Sequence, residues 1–342
     1  MDRSKKIVLL KSILLTVIFC FLYSYVSCKK DNISFKIKIK SEFNNIGLKK
    51  PVGIDEYKEK YYILDADLNS IFIVDKKTHK VQKKFGNIGQ GPGEFFSPGY
   101  LSIAKGIISV FEHRNKRIQI LKTNGEYLSE IPDSPFPWKA FCMNSQGEII
   151  LGQPQKGFLI SVYDTKGNLR RTFGNLKKIS EIYGLNNPSF EETYKIALNR
   201  ILLCTDNEDN IYAVFIFAPL IQKYNANGDL IAEKKIKGKE INEFIKYFPK
   251  TSKPTGLMKT SLDGVTIYHF FLSATIDPIL NNLIILTGLG NLYIYDKDLL
   301  KKKGEVQIDS SLHKGVIYKL QSGDKELFFI TVFQSGIFEI EY

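Results

Sequence analysis

Five aromatic side chains are the best candidates for recognition chemistry, because they fall in connecting segments and not in regular strand patterns. They are Phe136, Trp138, Tyr183, Tyr247 and Phe248, and the chain has a single Trp. Flat rings can stack on sugar rings or on peptide side chains. Packing between structural elements explains Phe136 and Trp138 equally well. We therefore predict a binding surface for a glycan, a peptide or a partner protein, with packing as the open alternative.

Catalytic motifs are weak by comparison. The four histidines show no HExxH or other paired spacing, and no G-x-S-x-G occurs. The glycine-rich segment 86–98 could cradle a phosphate with its backbone N–H groups, but no Gly-Lys-Ser or Gly-Lys-Thr follows it. This pattern favours a structural loop and a protein that binds without catalysis.

A recurring strand pattern supplies the elements that position these residues. Short stretches that alternate apolar and polar residues, each followed by a hydrophilic turn, recur about every 42 to 71 residues. The repeated stretches are IFIVDKKTHK (71–80), RIQILKTNGE (117–126), LISVYDTKGN (159–168), LIQKYNANGD (220–229), LYIYDKDLLK (292–301) and IFEIEY (337–342). One four-stranded blade per step predicts an all-β, six-bladed β-propeller. No Pro/Gly/Ser linker divides the chain, so we expect residues 28–342 to form one domain.

The last blade lacks an outer strand, and the segment 32–41 alternates without a blade of its own. We expect this N-terminal strand to close the last blade. Long connections fall on one face, and two of them, 174–200 and 238–268, carry helical patterns at 188–200 and 241–248. We expect two helical insertions on that face, which is therefore the predicted recognition surface.

The N-terminus has the features of an export signal. Residues 1–11 are basic, and the mainly apolar stretch 13–26 is too short for a comfortable membrane span. Tyr25-Val26-Ser27-Cys28 resembles the lipobox of bacterial lipoproteins, which implies a lipoprotein signal peptide over 1–27 and lipidation of Cys28. Cys20 is a poorer acceptor, because Phe19 precedes it. We expect an exported protein, lipid-anchored in the bacterial cell envelope on its periplasmic or surface face.

Charge and cysteine content add further expectations. The formal net charge is +12, and export makes a nucleic-acid partner unexpected despite this surplus. Cys142 and Cys204 each lie in an apolar run, which is typical of buried thiols and not of a disulfide. We expect a monomer that contacts the membrane through its lipid anchor.

The segment GNIGQGPGEFFSP (86–98) closely resembles the connection between repeats in NHL-type propellers, G-x-x-G-x-G-P-G-x-F followed by Pro. The resemblance implies a bacterial six-bladed propeller lipoprotein of the NHL-like or TolB-like kind. It also admits lactonases and lyases, in which axial carboxylate, Asn and His side chains hold a divalent metal such as Ca²⁺. The metal-ligand candidates under that alternative are Asp65, Glu112, His113 and Asp206. Our main prediction needs no cofactor; the alternative is a metal-dependent hydrolase, lactonase or lyase.

Overall fold

The structure is a computed structural model that describes residues 25–27, 34–39, 43, 46–132, 140–184, 188–238, 241–242, 259–262, 265–307, 317–322, 327–331 and 337–341. In this part of the chain, no helix is both long and apolar enough to cross a membrane.

Most of the described residues belong to four-stranded antiparallel sheets whose strands follow one another in sequence. Two strands precede the first blade: β1 (Tyr25–Ser27) and β2 (Ser34–Ile39). Blade 1 contains β3 (Pro51–Glu56), β4 (Lys60–Asp65), β5 (Ser70–Asp75) and β6 (Val81–Phe85). Blade 2 contains β7 (Pro98–Ala104), β8 (Ile107–Glu112), β9 (Arg117–Lys122) and β10 (Tyr127–Ile131). Blade 3 contains β11 (Phe141–Met143), β12 (Ile149–Gly152), β13 (Ile160–Tyr163) and β14 (Leu169–Phe173).

The second half repeats this plan. Blade 4 contains β15 (Ile201–Thr205), β16 (Ile211–Phe215), β17 (Leu220–Tyr224) and β18 (Leu230–Lys235). A two-stranded hairpin follows, with β19 (Lys259–Leu262) and β20 (Val265–Tyr268). Blade 5 contains β21 (Phe271–Ile276), β22 (Leu283–Thr287), β23 (Asn291–Tyr295) and β24 (Lys302–Gln307). The last strands are β25 (Ile317–Ser322), β26 (Leu327–Thr331) and β27 (Ile337–Glu341).

Both ends of the chain meet in one further sheet, whose order is β1-β2-β27-β26-β25. Strand β2 pairs antiparallel with β27, with Lys36 opposite Glu341 and Ile39 opposite Phe338. The predicted closing strand is therefore confirmed. The blade count is corrected: the described residues form five four-stranded blades and not the six predicted, because the end sheet has five strands. Its extra edge strand, β1, comes from the segment that the sequence assigns to the signal peptide.

The first strand of each sheet lies at the centre of a closed ring. Strands β3, β7, β11, β15, β21 and β25 contact one another in that order, and β25 contacts β3. Because side chains alternate between the two faces of a strand, each sheet packs apolar residues against both neighbours. Between blades 1 and 2, for example, the buried residues include Tyr62, Ile71, Phe95 and Leu101. The fold is an all-β propeller with few helices.

The two faces of the disc differ. Turns from the first to the second strand of each blade open on one face, which we call the cavity face. Connections from the fourth strand to the next blade lie on the opposite face, which we call the insertion face. Helices α1 (Ile179–Tyr183) and α2 (Pro188–Leu198) lie there between β14 and β15, and a single 3-10 turn, Pro154–Lys156, follows β12.

The structure describes one of the two predicted insertion helices in full and two residues of the other. Helix α2 confirms the helix predicted at 188–200. Most of the second predicted helix, 241–248, lies outside the described residues; Ile241 and Asn242 are helical. The hairpin β19–β20 in the same insertion was not predicted.

The glycine-rich connection 86–98 is a structural loop. Phe95 is fully buried between blades 1 and 2. Gly86 has φ +90°, and a Cβ added there would lie 2.5 Å from the Phe95 ring. The backbone thus needs glycine to pass over this ring.

Candidate binding site at the axial cavity

A cavity of about 350 Å³ opens at the centre of the cavity face. Its wall consists of residues of β3, β7, β11, β15 and β21 and of the turns that follow β11 and β15. Because the inner strands all run in the same direction, their ends converge around the axis. The recognition surface predicted from the sequence is the opposite face, the insertion face.

Five corresponding residues form a ring in this wall, one from each of these inner strands. The ring residues, with their partners on the second strand in parentheses, are Asp55 (Tyr62), Ser102 (Ser109), Cys142 (Ile150), Cys204 (Tyr212) and Thr275 (Ile284). One carboxylate, two thiols and two hydroxyls therefore face a common space. This set offers hydrogen-bond donors and acceptors to a small polar ligand.

Asp55 is the charged member of the ring and is held by backbone N–H groups. Its Oδ1 accepts from Glu56 N at 2.8 Å, and its Oδ2 accepts from Ile103 N at 2.8 Å. The second bond crosses from blade 1 to blade 2. The carboxylate is thereby fixed in orientation at the cavity wall, and it is only half-buried.

Tyr100 lies in the wall beside the ring. Its own ring packs edge-on against Phe141, with centroids 4.9 Å apart. Burial raises the pKa of the Tyr100 phenol well above its usual range, and the charge of Asp55 and the thiols of Cys142 and Cys204 raise it further. The phenol stays protonated at all ordinary pH values and so keeps an O–H donor.

Three more carboxylates lie in the wall, each with structural contacts. Glu56 is paired with Lys76. Asp209 accepts from the backbone N and the Oγ of Ser145, both at 2.7 Å, which links blades 3 and 4. Among the described lining residues there is no Lys, Arg or His. The wall therefore favours neutral polar or cationic groups over anions.

Asp206 is the third of these carboxylates and was also a metal candidate. It accepts from Asn210 N at 2.9 Å and from the Tyr212 hydroxyl at 3.0 Å, and Lys223 Nζ lies 3.7 Å away. Burial and the Asp206 charge raise the pKa of the Tyr212 phenol. Asp206 closes the turn between β15 and β16 and links it to blade 5 through Tyr212, which also donates to the Lys297 carbonyl at 2.6 Å.

Asp65 lies on the insertion face, at the end of β4. Its carboxylate accepts from four backbone N–H groups, those of Lys49, Lys50, Asp67 and Leu68, at 2.6, 2.8, 3.1 and 2.9 Å. It holds the segment that enters blade 1.

Glu112 has the corresponding role in blade 2. It is fully buried and accepts from Arg117 Nε at 2.8 Å, Gln119 Nε2 at 2.7 Å, Asn115 Nδ2 at 2.6 Å and Phe96 N at 2.8 Å.

His113 packs edge-on against the Phe111 ring at 4.8 Å. A Cβ at Gly99 would lie 2.3 Å from His113 Nε2, so the imidazole fills the space over this glycine.

The structure does not bring the four metal candidates together. Asp65, Glu112 and His113 lie at second-strand ends on the insertion face, whereas Asp206 lies on the cavity face. No group of three His, Cys, Asp or Glu side chains arranged to hold a metal occurs in the described part of the chain.

Of the five aromatic candidates, the described residues include only Tyr183. Its hydroxyl donates to the Phe217 carbonyl and its ring packs on the core of blades 3 to 5, so it anchors α1 to blade 4. Burial raises the pKa of this phenol. Phe136, Trp138, Tyr247 and Phe248 lie outside the described residues. Sequence reasoning missed the ring, because the apolar runs around Cys142 and Cys204 predict buried thiols and give no sign that the two residues line a common cavity.

No family model matches the chain, and no curated protein does. The chain is similar in structure to one described as "Streptogramin B lyase structure", with 12% identity, 90% of this chain and 97% of that chain covered, and a TM-score of 0.50. It is also similar to the Neurospora crassa Pan2 WD40 domain, with 9% identity, 85% and 74% covered, and a TM-score of 0.47. At these identities the likeness shows the β-propeller fold alone. The NHL-like or TolB-like lipoprotein resemblance gains no support beyond that fold.

Proposed function

We propose that this protein is a non-catalytic binding protein whose axial cavity holds a small, neutral or cationic polar group, such as a sugar unit or the end of a peptide. One observation carries the proposal. A ring of Asp55, Ser102, Cys142, Cys204 and Thr275 lines a cavity of about 350 Å³. Cavities of roughly 300 Å³ and above are typical of small-ligand sites, and a few convergent polar groups give such sites their specificity.

The proposed ligand site therefore lies on the cavity face and not on the insertion face, where the sequence predicts recognition. Tyr183, the described member of the aromatic set, uses its hydroxyl to anchor a helix. Binding of a glycan, peptide or envelope partner by Phe136, Trp138, Tyr247 and Phe248 stays a prediction for the insertion face. A metal-dependent hydrolase or lyase would need metal ligands other than Asp65, Glu112, His113 and Asp206. These four side chains make structural contacts, and they lie on two different faces of the disc.

We further propose that the protein is exported and lipid-anchored at Cys28. Cleavage before Cys28 would remove β1, Tyr25–Ser27. The end sheet would then be β2-β27-β26-β25, a four-stranded sheet like the other five. A mature propeller of six equal blades is therefore the form that we propose in the cell envelope.

Thiol protection tests the cavity. A panel of monosaccharides, amino sugars, amines and short peptides is screened by thermal shift against the purified full chain. Each stabilising compound is then tested for slowing the reaction of Cys142 and Cys204 with methyl methanethiosulfonate, a reagent small enough to enter the cavity. We expect at least one compound to slow modification, and Asp55→Asn or Ser102→Ala to weaken its binding tenfold or more.

The matched control is Asp67→Asn, which removes one negative charge from an exposed side chain of the same blade on the opposite face. It should leave binding unchanged. If stabilising compounds leave both thiols equally reactive, or bind Asp55→Asn and Ser102→Ala as tightly as the wild type, the cavity is not the binding site.

A further inference from the structure

Three large apolar side chains are strongly exposed at one edge of the cavity face. Leu300 is 79% exposed, Ile279 67% and Leu280 56%. They lie in two turns of blade 5, 277–282 and 296–301. Leu283 pairs directly with Tyr295, so the two turns leave the sheet side by side. We call these three residues the blade 5 apolar patch.

The turn that holds Ile279 and Leu280 differs in composition from the first turns of blades 1 to 4. The corresponding first turns of blades 1 to 4 are Tyr57-Lys58-Glu59, Lys105-Gly106, 144–148 (NSQGE) and 206–210 (DNEDN). Those turns are polar, as turns in water normally are. Grouped apolar side chains at turn tips are typical of a surface that contacts another apolar phase.

The segment 296–303, which contains Leu300, carries four lysines and two aspartates, a net charge of +2. Lys297, Lys301, Lys302 and Lys303 lie within three residues of Leu300. Lys297 pairs with Glu208 and Lys302 with Glu305, each at 2.6 Å. Apolar tips flanked by lysine suit the interface of an anionic bilayer, where the headgroup charge attracts the cations and the acyl region accepts the apolar groups.

The path of the chain places the predicted anchor on the same face. Strand β2 starts at Ser34, beside the carboxyl end of β27, and therefore on the cavity face. Its sheet is the neighbour of blade 5, because β25 contacts β21. Cys28 lies six positions before Ser34, so the two residues are at most about 20 Å apart when the segment is extended. A lipid on Cys28 would enter the bilayer close to the patch.

We propose that the blade 5 apolar patch rests in the headgroup region of an anionic bilayer and turns the cavity face toward it. The anchor ties the protein to the membrane, and the patch fixes its orientation. The insertion face then points away from the membrane. The inference rests on the proposed lipid anchor at Cys28, but it is independent of which ligand the axial cavity holds.

Tryptophan depth measurement tests this orientation. In the full, lipidated chain with Trp138→Phe, a single Trp is placed by Ile279→Trp, and in a matched control by Ile88→Trp. Ile88 is 64% exposed, much like Ile279, but lies in the connection on the insertion face. Both variants are reconstituted in vesicles of phosphatidylcholine and phosphatidylglycerol, with or without brominated acyl chains.

We expect a blue shift on reconstitution and at least twofold stronger quenching by brominated lipid at position 279 than at position 88. Leu280→Asp together with Leu300→Asp, added to the Ile279→Trp variant, should abolish this difference while far-ultraviolet circular dichroism stays unchanged. Equal quenching at both positions, or stronger quenching at 88, would overturn the proposal. So would the absence of quenching at 279 combined with a dimer in detergent that Leu300→Asp dissociates, because the patch would then cover a second copy.

Discussion

Glu112 offers a decisive test of whether the carboxylates singled out by the sequence are structural or chemical. Its side chain is fully buried and accepts four hydrogen bonds, one of them from Arg117, whose side chain is 11% exposed. Arg117 in turn donates to the carbonyls of Gly91 and Glu94 in the glycine-rich loop. The substitution Glu112→Gln keeps the volume but removes the charge and turns an NH₂ group toward donors.

The expected loss of stability follows from these contacts. Removing one partner of a buried ion pair typically costs about 3–5 kcal/mol, because the other charge stays buried without its counterion. Hydrogen bonds to a charged group contribute roughly 1.5–3 kcal/mol each, but contributions within one network do not add. Arg117 keeps a second counterion, because Glu130 lies 2.8 Å away, so we expect the free energy of unfolding to fall by about 3 kcal/mol, the lower end of that range. Urea titration followed by intrinsic fluorescence measures the change.

The control is Glu126→Gln, which breaks an exposed pair with Lys122 on the adjacent strand of the same blade. It should leave the urea midpoint unchanged. If Glu112→Gln lowers stability by less than about 1 kcal/mol, or if the wild type holds a stoichiometric divalent metal that this variant loses, the structural role assigned to Glu112 is refuted. The loop should respond as well, with faster amide exchange over 86–98 in Glu112→Gln than in Glu126→Gln.

Two other predictions concern stability. Gly86→Ala should destabilise the fold strongly, because φ is +90° and the new Cβ would lie 2.5 Å from the buried Phe95 ring. Gly93→Ala should lower the free energy of unfolding by only about 1 kcal/mol, because φ is +76° but no atom lies within 4 Å of the new Cβ. Urea midpoints of the two variants give the comparison, and equal losses would contradict it. Burial, reinforced by Arg200, lowers the pKa of His269 to about 4, so the folded state keeps this imidazole neutral. As pH falls, His269 is protonated in the unfolded chain before it is protonated in the folded one. The contribution of this residue to the free energy of unfolding should therefore be fully present above about pH 6.5 and decline as pH falls toward 4, by at most about 1.4 kcal/mol per pH unit. Stability measured from about pH 7.5 to about pH 4.5 should show this slope in the wild type and a shallower one in His269→Gln; parallel curves would show that His269 does not contribute.

The blades were predictable because each is a local pattern. The stretch RIQILKTNGE gave both β9, Arg117–Lys122, and a turn in which Gly125 adopts φ +92°. The closing strand was predictable for a similar reason, since 32–41 alternates and had no partner nearby. The prediction of four strands per sheet was wrong only for the end sheet. There, β1 adds a fifth strand at the edge, which the sequence repeat does not predict.

The axial ring could not be read from the sequence in the same way. Its members are separated by some 40 to 70 residues, and only closure of the ring brings them to one level around the axis. By contrast, the ion pair of Glu112 with Arg117 could have been predicted from the local sequence. The two residues flank a four-residue turn and face each other across β8 and β9. The hairpin β19–β20 also had a signal: the sequence has Asp263-Gly264 between two alternating stretches, which is a strong hairpin pattern.

The joining of β2 to β27 has a consequence for biogenesis. These strands lie about 300 residues apart, so the pair that seals the ring forms between the first and the last parts of the domain to be made. If the protein is exported as proposed above, β2 emerges from the channel first, and the edge that pairs with β27 stays without its partner until translocation ends. Under that proposal, chaperones that shield unpaired strand edges should matter more for this protein than for one whose terminal strands pair locally. Truncation of β27 should leave β2 without its partner and the ring open at the end sheet.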